Sequence, residues 1–211
     1  MDPVFVSYHD SLLRKSDVAL LKCPNWLNDR LIGFYFEYLE REEFARFAQR
    51  VLFITPDATQ WIKLGQEAEL SVFLDPLNLA QKEIIFLAVN DNVEPDEAGG
   101  SHWSALMYDR VLNAFHHMDS YYPANYACAL TCAKRITPFL KAPRDPTFLD
   151  LPCPQQDNSY DCGVYTLCFV HTMCNIRLKG TSDDLSQITA ETAQRWRDET
   201  MELICSLSEK R

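Results

Sequence analysis

Residues 153–165 read Cys153-Pro154-Gln155-Gln156-Asp157-Asn158-Ser159-Tyr160-Asp161-Cys162-Gly163-Val164-Tyr165. A polar, turn-prone loop ends at a cysteine and passes into an apolar, helix-like stretch from Cys162 to Arg177. That setting places Cys162 at a helix N-terminus, where the macrodipole and unpaired N–H groups stabilise a thiolate. Lowering a thiol pKa from about 8.5 is how cysteine nucleophiles are activated. A cysteine drawn at random is more often buried packing; the loop-to-helix setting reverses that preference.

A nucleophilic cysteine needs a base, and the base needs an acceptor that orients it. The five histidines are His9, His102, His116, His117 and His171. His102 follows the pair Gly99-Gly100 and opens a stretch, 102–108, that reads as a strand; 113–118 reads as the next, joined near Asp109-Arg110. In an antiparallel pair the start of one strand lies beside the end of the other, which sets His102 next to Asp119. His116 and His117 point to opposite faces of a strand, so at most one of them shares a site with Asp119. His171 lies at the wrong end of its helix to reach Cys162, and His9 has no evident partner.

Around this centre the chain divides into helices at both ends and strands grouped in the middle, an α+β pattern. Val4–Val6 and 51–55 read as short strands, and Glu83 to Asn90 as the most strongly buried one. Leu27, Leu31, Phe34, Tyr35, Tyr38 and Leu39 recur at spacings of three and four, predicting an amphipathic helix to about Arg41 with Asn25 as its cap. Further helices are predicted over 57–64, 67–74, 123–141 and the C-terminal stripe Ala193, Trp196, Thr200, Leu203, Ile204 and Leu207. Stretch 147–151 reads as an edge strand. The whole, 1–211, reads as one domain.

Composition narrows the function classes. Hydrophobic residues make up 47% and charged residues 24%, as in a folded globular domain. The longest apolar run, Ile84 to Val89, is far short of the roughly 18 residues that span a bilayer, so no membrane partner is expected. A formal net charge of −10 argues against a nucleic-acid binder and favours a partner with a basic face. The eight cysteines include no C-x-x-C pair, which disfavours a zinc ribbon. No secretory signal is legible at the N-terminus, and a cytoplasmic or nuclear location is expected.

The constellation Trp26-Leu27-Asn28-Asp29, His102-Trp103, Asp119-Ser120 and Gln155 to Gly163 resembles the Ulp/sentrin-specific cysteine proteases, which cleave ubiquitin-like modifiers after a C-terminal Gly-Gly. The similarity spans nearly the whole chain and is greatest to the short members acting on the neddylation modifier. It implies a papain-like (Ulp/adenain-type) fold with helices flanking a small mixed sheet. It also implies isopeptidase and precursor-processing activity, with no metal or organic cofactor. By the same resemblance Cys162 is the nucleophile, His102 the base and then acid, and Asp119 the orienter. Gln156, six residues before Cys162, supplies an oxyanion-hole amide. Trp26 and Trp103 wall a slot for the tail, although Trp26 alone reads as a buried helix-start anchor. Asp29 pairs with a basic residue of the tail or stabilises its helix dipole. The acidic loop of Glu94, Asp96 and Glu97 is expected to close over the modifier. SUMO or ubiquitin as the substrate, and a non-cleaving binding module, remain as alternatives.

Overall fold

The computed structural model describes residues 2–94 and 99–209. In chain order the elements are a hairpin, β1 (Val4–Tyr8) and β2 (Ser11–Arg14), then helices α1 (Lys15–Ala19) and α2 (Asp29–Tyr38). Strand β3 (Val51–Ile54), α3 (Pro56–Leu64) and α4 (Leu70–Leu74) follow. The centre is β4 (Ile84–Asn90), β5 (Trp103–Asp109) and β6 (Ala114–Met118), and then α5 (Tyr126–Leu140) and β7 (Thr147–Asp150). Helices α6 (Cys162–Cys174) and α7 (Ala190–Glu209) complete the described chain.

Five strands form one mixed sheet in the order β3-β4-β5-β6-β7. The two outer pairings are parallel and the two inner ones antiparallel. Side chains alternate faces along a strand, and here both faces are covered. Phe86 and Ala88 of β4 pack with α2, α6 and α7, whereas Ile85, Leu87 and Val89 pack with α4 and α5. Burial on both faces explains why β4 is a continuous apolar run rather than an alternating one. Helix α6 is buried from Cys162 through Val170, as a helix apolar on all sides must be.

The sheet register collects the ends of three strands at one edge. Asn90, the last residue of β4, pairs with Trp103, the first of β5, and Ala105 pairs with Met118 at the end of β6. His102 and Asp119 therefore project from the same edge. Two features differ from the sequence reading at this place. The cap of α2 is Asn28, whose side chain accepts from the N–H of Leu31 at 3.1 Å, and Asn25 instead donates to the Lys22 carbonyl. Trp26 and Leu27 consequently precede the helix as extended chain. The hairpin partner β2 and the short α1 were also not expected; β2 has too few alternating residues to register as a strand.

Helix α7 is tied to this edge by a buried side chain, Arg197. Arg197 is 1% exposed. Its Nε and Nη2 donate to Asp161 Oδ1 at 2.9 and 2.7 Å, Nη1 to the Leu20 carbonyl at 2.9 Å, and Nη2 to the Asn25 carbonyl at 2.9 Å. One guanidinium thus ties the segment leading to Trp26 to the residue preceding Cys162. Truncating one member of a buried ion pair leaves the other uncompensated, at about 3–5 kcal/mol. Arg197→Met is expected to lower unfolding free energy by that amount in urea denaturation, and a loss below about 1 kcal/mol would show that the pair does not hold this edge together.

Candidate active site

Cys162 is the first residue of α6 and is buried. The preceding Asp161 makes no side-chain capping bond to the helix. Its carboxylate is used by Arg197 and by the Asn158 amide, 2.8 Å away. The first-turn N–H groups of α6 are thus left without a cap from Asp161, and a helix N-terminus in that state favours negative charge. Gly163 fits the close approach of the segment bearing Trp26: a Cβ there would sit 3.0 Å from Leu27 Cβ.

His102 lies against Asp119, with Nε2 and Oδ1 2.5 Å apart, and Cys162 is near enough to act on its proton affinity. Burial alone would lower the imidazole pKa, but Asp119 and Cys162 outweigh it and raise it to about 9. Burial pushes the Asp119 carboxyl up as well. Hydrogen bonds from His102 and from the N–H groups of Asn125 and Tyr121 more than offset this and hold it below its usual value. At neutral pH the pair is an imidazolium held by a carboxylate.

Several residues that the sequence did not single out hold this pair. Asp91 accepts from the Ser101 N–H at 2.6 Å and the His102 N–H at 3.0 Å. Asn125, fully buried, donates to the carbonyls of Val89 at 3.0 Å and His102 at 3.3 Å. Gly100 has φ +88°, and a Cβ there would collide with the Asn90 side chain. The stem of the acidic loop is therefore fastened next to His102. Pro95, Asp96, Glu97 and Ala98 lie outside the described residues, and with them the expected closure of that loop.

The two adjacent glutamines separate clearly. Gln155 bridges backbone, donating to the Asp119 carbonyl at 2.9 Å and accepting from the Tyr122 N–H at 3.0 Å. Gln156 lines a cavity with His102. Its Oε1 accepts from the Ser120 hydroxyl at 2.7 Å and its Nε2 donates to the Asn158 carbonyl at 2.6 Å, leaving one amide hydrogen over.

Trp26, Asp29, Trp103 and Cys162 line a common cleft of about 390 Å³. Trp26 is 47% exposed, so it is not the buried anchor that its position at a helix start suggested. Trp103 is fixed by donation from its indole N–H to the Leu27 carbonyl at 3.1 Å. Asp57 was not anticipated: it lines the same cleft, and its carboxyl is raised by burial and by the neighbouring Asp29.

The other histidines have separate roles. His117 is held between Asp150 and Ser104, and His171 bonds Glu43. His116 is buried and lowered by desolvation, and His9 packs edge-on to Tyr8. Burial raises the thiols of Cys132 and Cys168 to about 12 and of Cys153 to about 11, as expected of packing cysteines. Among the described residues no group of three or more His, Cys, Asp or Glu side chains could hold a metal ion.

A thiol beside a carboxylate-held imidazole, at a helix N-terminus lining a cleft, is equipped for nucleophilic acyl transfer. That is the chemistry of thiol hydrolases, carried here on an α+β fold. The chain belongs to the Ulp1 protease family, whose C-terminal catalytic domain matches residues 25–209. It is 43% identical to sentrin-specific protease 8 of Rattus norvegicus, over 100% of this chain and 98% of that one. It is 38% identical to NEDD8-specific protease 1 of Arabidopsis thaliana, over 82% and 76% respectively. The fold is similar to that of the C-terminal Ulp1 protease domain solved in complex with Smt3, the yeast ortholog of SUMO. That match has a TM-score of 0.75 at 19% identity and covers 99% of this chain and 89% of that one.

The stability that His102 gains from its partners is fully present below about pH 6.5, its ordinary pKa, and is lost as pH rises through about 9. In an NMR titration His102 should titrate near 9, and Asp119→Asn should bring it down to about 6.5 or below. An unchanged titration in that variant would mean that Asp119 does not control the imidazole.

Proposed function

We propose that this chain is a cysteine protease that cleaves the peptide or isopeptide bond after the C-terminal Gly-Gly of the ubiquitin-like modifier NEDD8. The observation that carries this reading is the His102–Asp119 pair beside Cys162, which lines a cleft walled by Trp26 and Trp103. The substrate class follows from relatives similar over most or all of their length, one of them named for NEDD8. A cleft between aromatic walls suits a tail of glycines, which can lie flat between the rings; such selection is steric.

The steps follow from the geometry. With the thiol proton resting on His102, Cys162 Sγ attacks the carbonyl carbon of the last glycine, and the oxyanion that forms meets the Cys162 N–H and the Gln156 amide. The C–N bond then breaks, and the leaving nitrogen takes a proton from His102. Water attacks the resulting thioester as His102 takes its proton, which returns to sulfur when the modifier leaves with a free carboxylate. Asp119 holds the imidazole in the orientation required throughout. Asp29, with Asp57 beside it, offers negative charge to a basic residue of the tail.

NEDD8, SUMO and ubiquitin carrying an electrophile at the C-terminus would be mixed with wild type and with Cys162→Ala, and covalent adducts read on a gel. A Cys162-dependent adduct with NEDD8 is expected. Adducts with SUMO or ubiquitin in its place would move the substrate, and none at all would favour a binding module that does not cut. Gln156→Ala should reduce kcat by about 10²–10³-fold, the usual cost of losing one oxyanion donor. A full-speed variant would remove Gln156 from the oxyanion hole.

A further inference from the structure

Two cavities adjoin at Trp26 and Ser101, which line both; Cys162 lines the first and His102 the second. The first is the cleft assigned above to the modifier tail. The second, of about 520 Å³, is lined by His102 and Gln156 and, farther out, by Tyr121 and Asp157. On the function proposed above, a substrate whose tail fills the first cavity and whose terminal carbonyl sits at Cys162 continues into the second beyond the scissile bond. The second cavity also contains His102, the group that hands its proton to the departing nitrogen.

Its outer wall has an unusual composition. Tyr121 is 65% exposed and the adjacent Tyr122 55% exposed. The loop beneath them is rigid: the Tyr121 N–H donates to Asp119, the Tyr122 N–H to Gln155, and the Ala124 N–H to the Tyr121 carbonyl. The Tyr121 ring stands edge-on to His102 with 6.0 Å between ring centres. Rings presented to water on a fastened loop add little to the core, and contiguous exposed apolar surface of this kind marks a binding site.

We propose that this cavity, with Tyr121 as its main contact, binds the conjugated lysine and the adjoining backbone of the protein from which the modifier is removed. The apolar stem of the lysine packs on the ring. When the isopeptide C–N bond breaks, Nζ takes one proton from His102 and, at neutral pH, a second from water. The ammonium so formed can be held by the ring face and by the exposed Asp157 carboxylate. The site therefore serves removal of the modifier from proteins more than reactions with a small leaving group.

Two substrates with the same tail separate this site from the rest of the machinery: NEDD8 isopeptide-linked to a lysine within a peptide, and NEDD8 C-terminal ethyl ester. The ratio of kcat/KM for the peptide conjugate to that for the ester is expected to fall roughly fivefold in Tyr121→Ala, as for loss of one aromatic contact, and to hold in Tyr121→Phe. An unchanged ratio in Tyr121→Ala would overturn the site, whether both rates fall together or neither moves. Wild type that hydrolyses neither substrate would overturn the function on which the site rests, a result distinct from either.

Discussion

The buried contact between Arg197 and Asp161 joins the segment before Trp26 to the residue before Cys162. Asp161 sits immediately before the nucleophile, and the carbonyls of Leu20 and Asn25 lie in the segment that leads to Trp26. A planar guanidinium with five donors can satisfy three such partners at fixed angles, which an ammonium cannot. Replacing both members by well-packed apolar residues is often neutral, whereas removing one leaves the other uncompensated. The effect of the pair is positional. It fixes the spacing between the aromatic wall and the sulfur, and through Asn158 it continues to Gln156 and Ser120.

Around His102 the same task is done by short polar side chains acting on backbone. Asn90, Asp91 and Asn125 all bond to the main chain at residues 101–102, so the imidazole is aimed by its own backbone as well as by Asp119. A site held this way needs little reorganisation as charge moves from sulfur to oxyanion, which is the condition for electrostatic catalysis.

Much of this was legible in the residues. The β5–β6 meander was readable from two apolar runs around a turn, and antiparallel pairing alone brings His102 to Asp119. The position of Cys162 at a helix start followed from the change of composition at that residue. What escaped the sequence has one physical character: contacts between residues far apart in the chain that leave no local pattern. Arg197 looks like any helical arginine, and Asn125 and Asp91 look like turn residues. The cap of α2 was misplaced from Asn28 to Asn25 because Pro24 signals a turn but does not say how long the extended chain after it runs. Trp26 was ambiguous for the same reason, its exposure depending on that extension.

The sequence distance spanned by Arg197 bears on how the protein is made. Domains are synthesised from the N-terminus, so β5, β6 and the start of α6 all leave the ribosome before α7 does. Until α7 docks, Asp161 lacks its Arg197 partner, and the tie between it and the segment before Trp26 is not made. A nascent chain therefore carries the reactive cysteine and its histidine without that tie. The contact between Arg197 and Asp161 can form only after α7 has been made, later than the segments carrying His102 and Cys162.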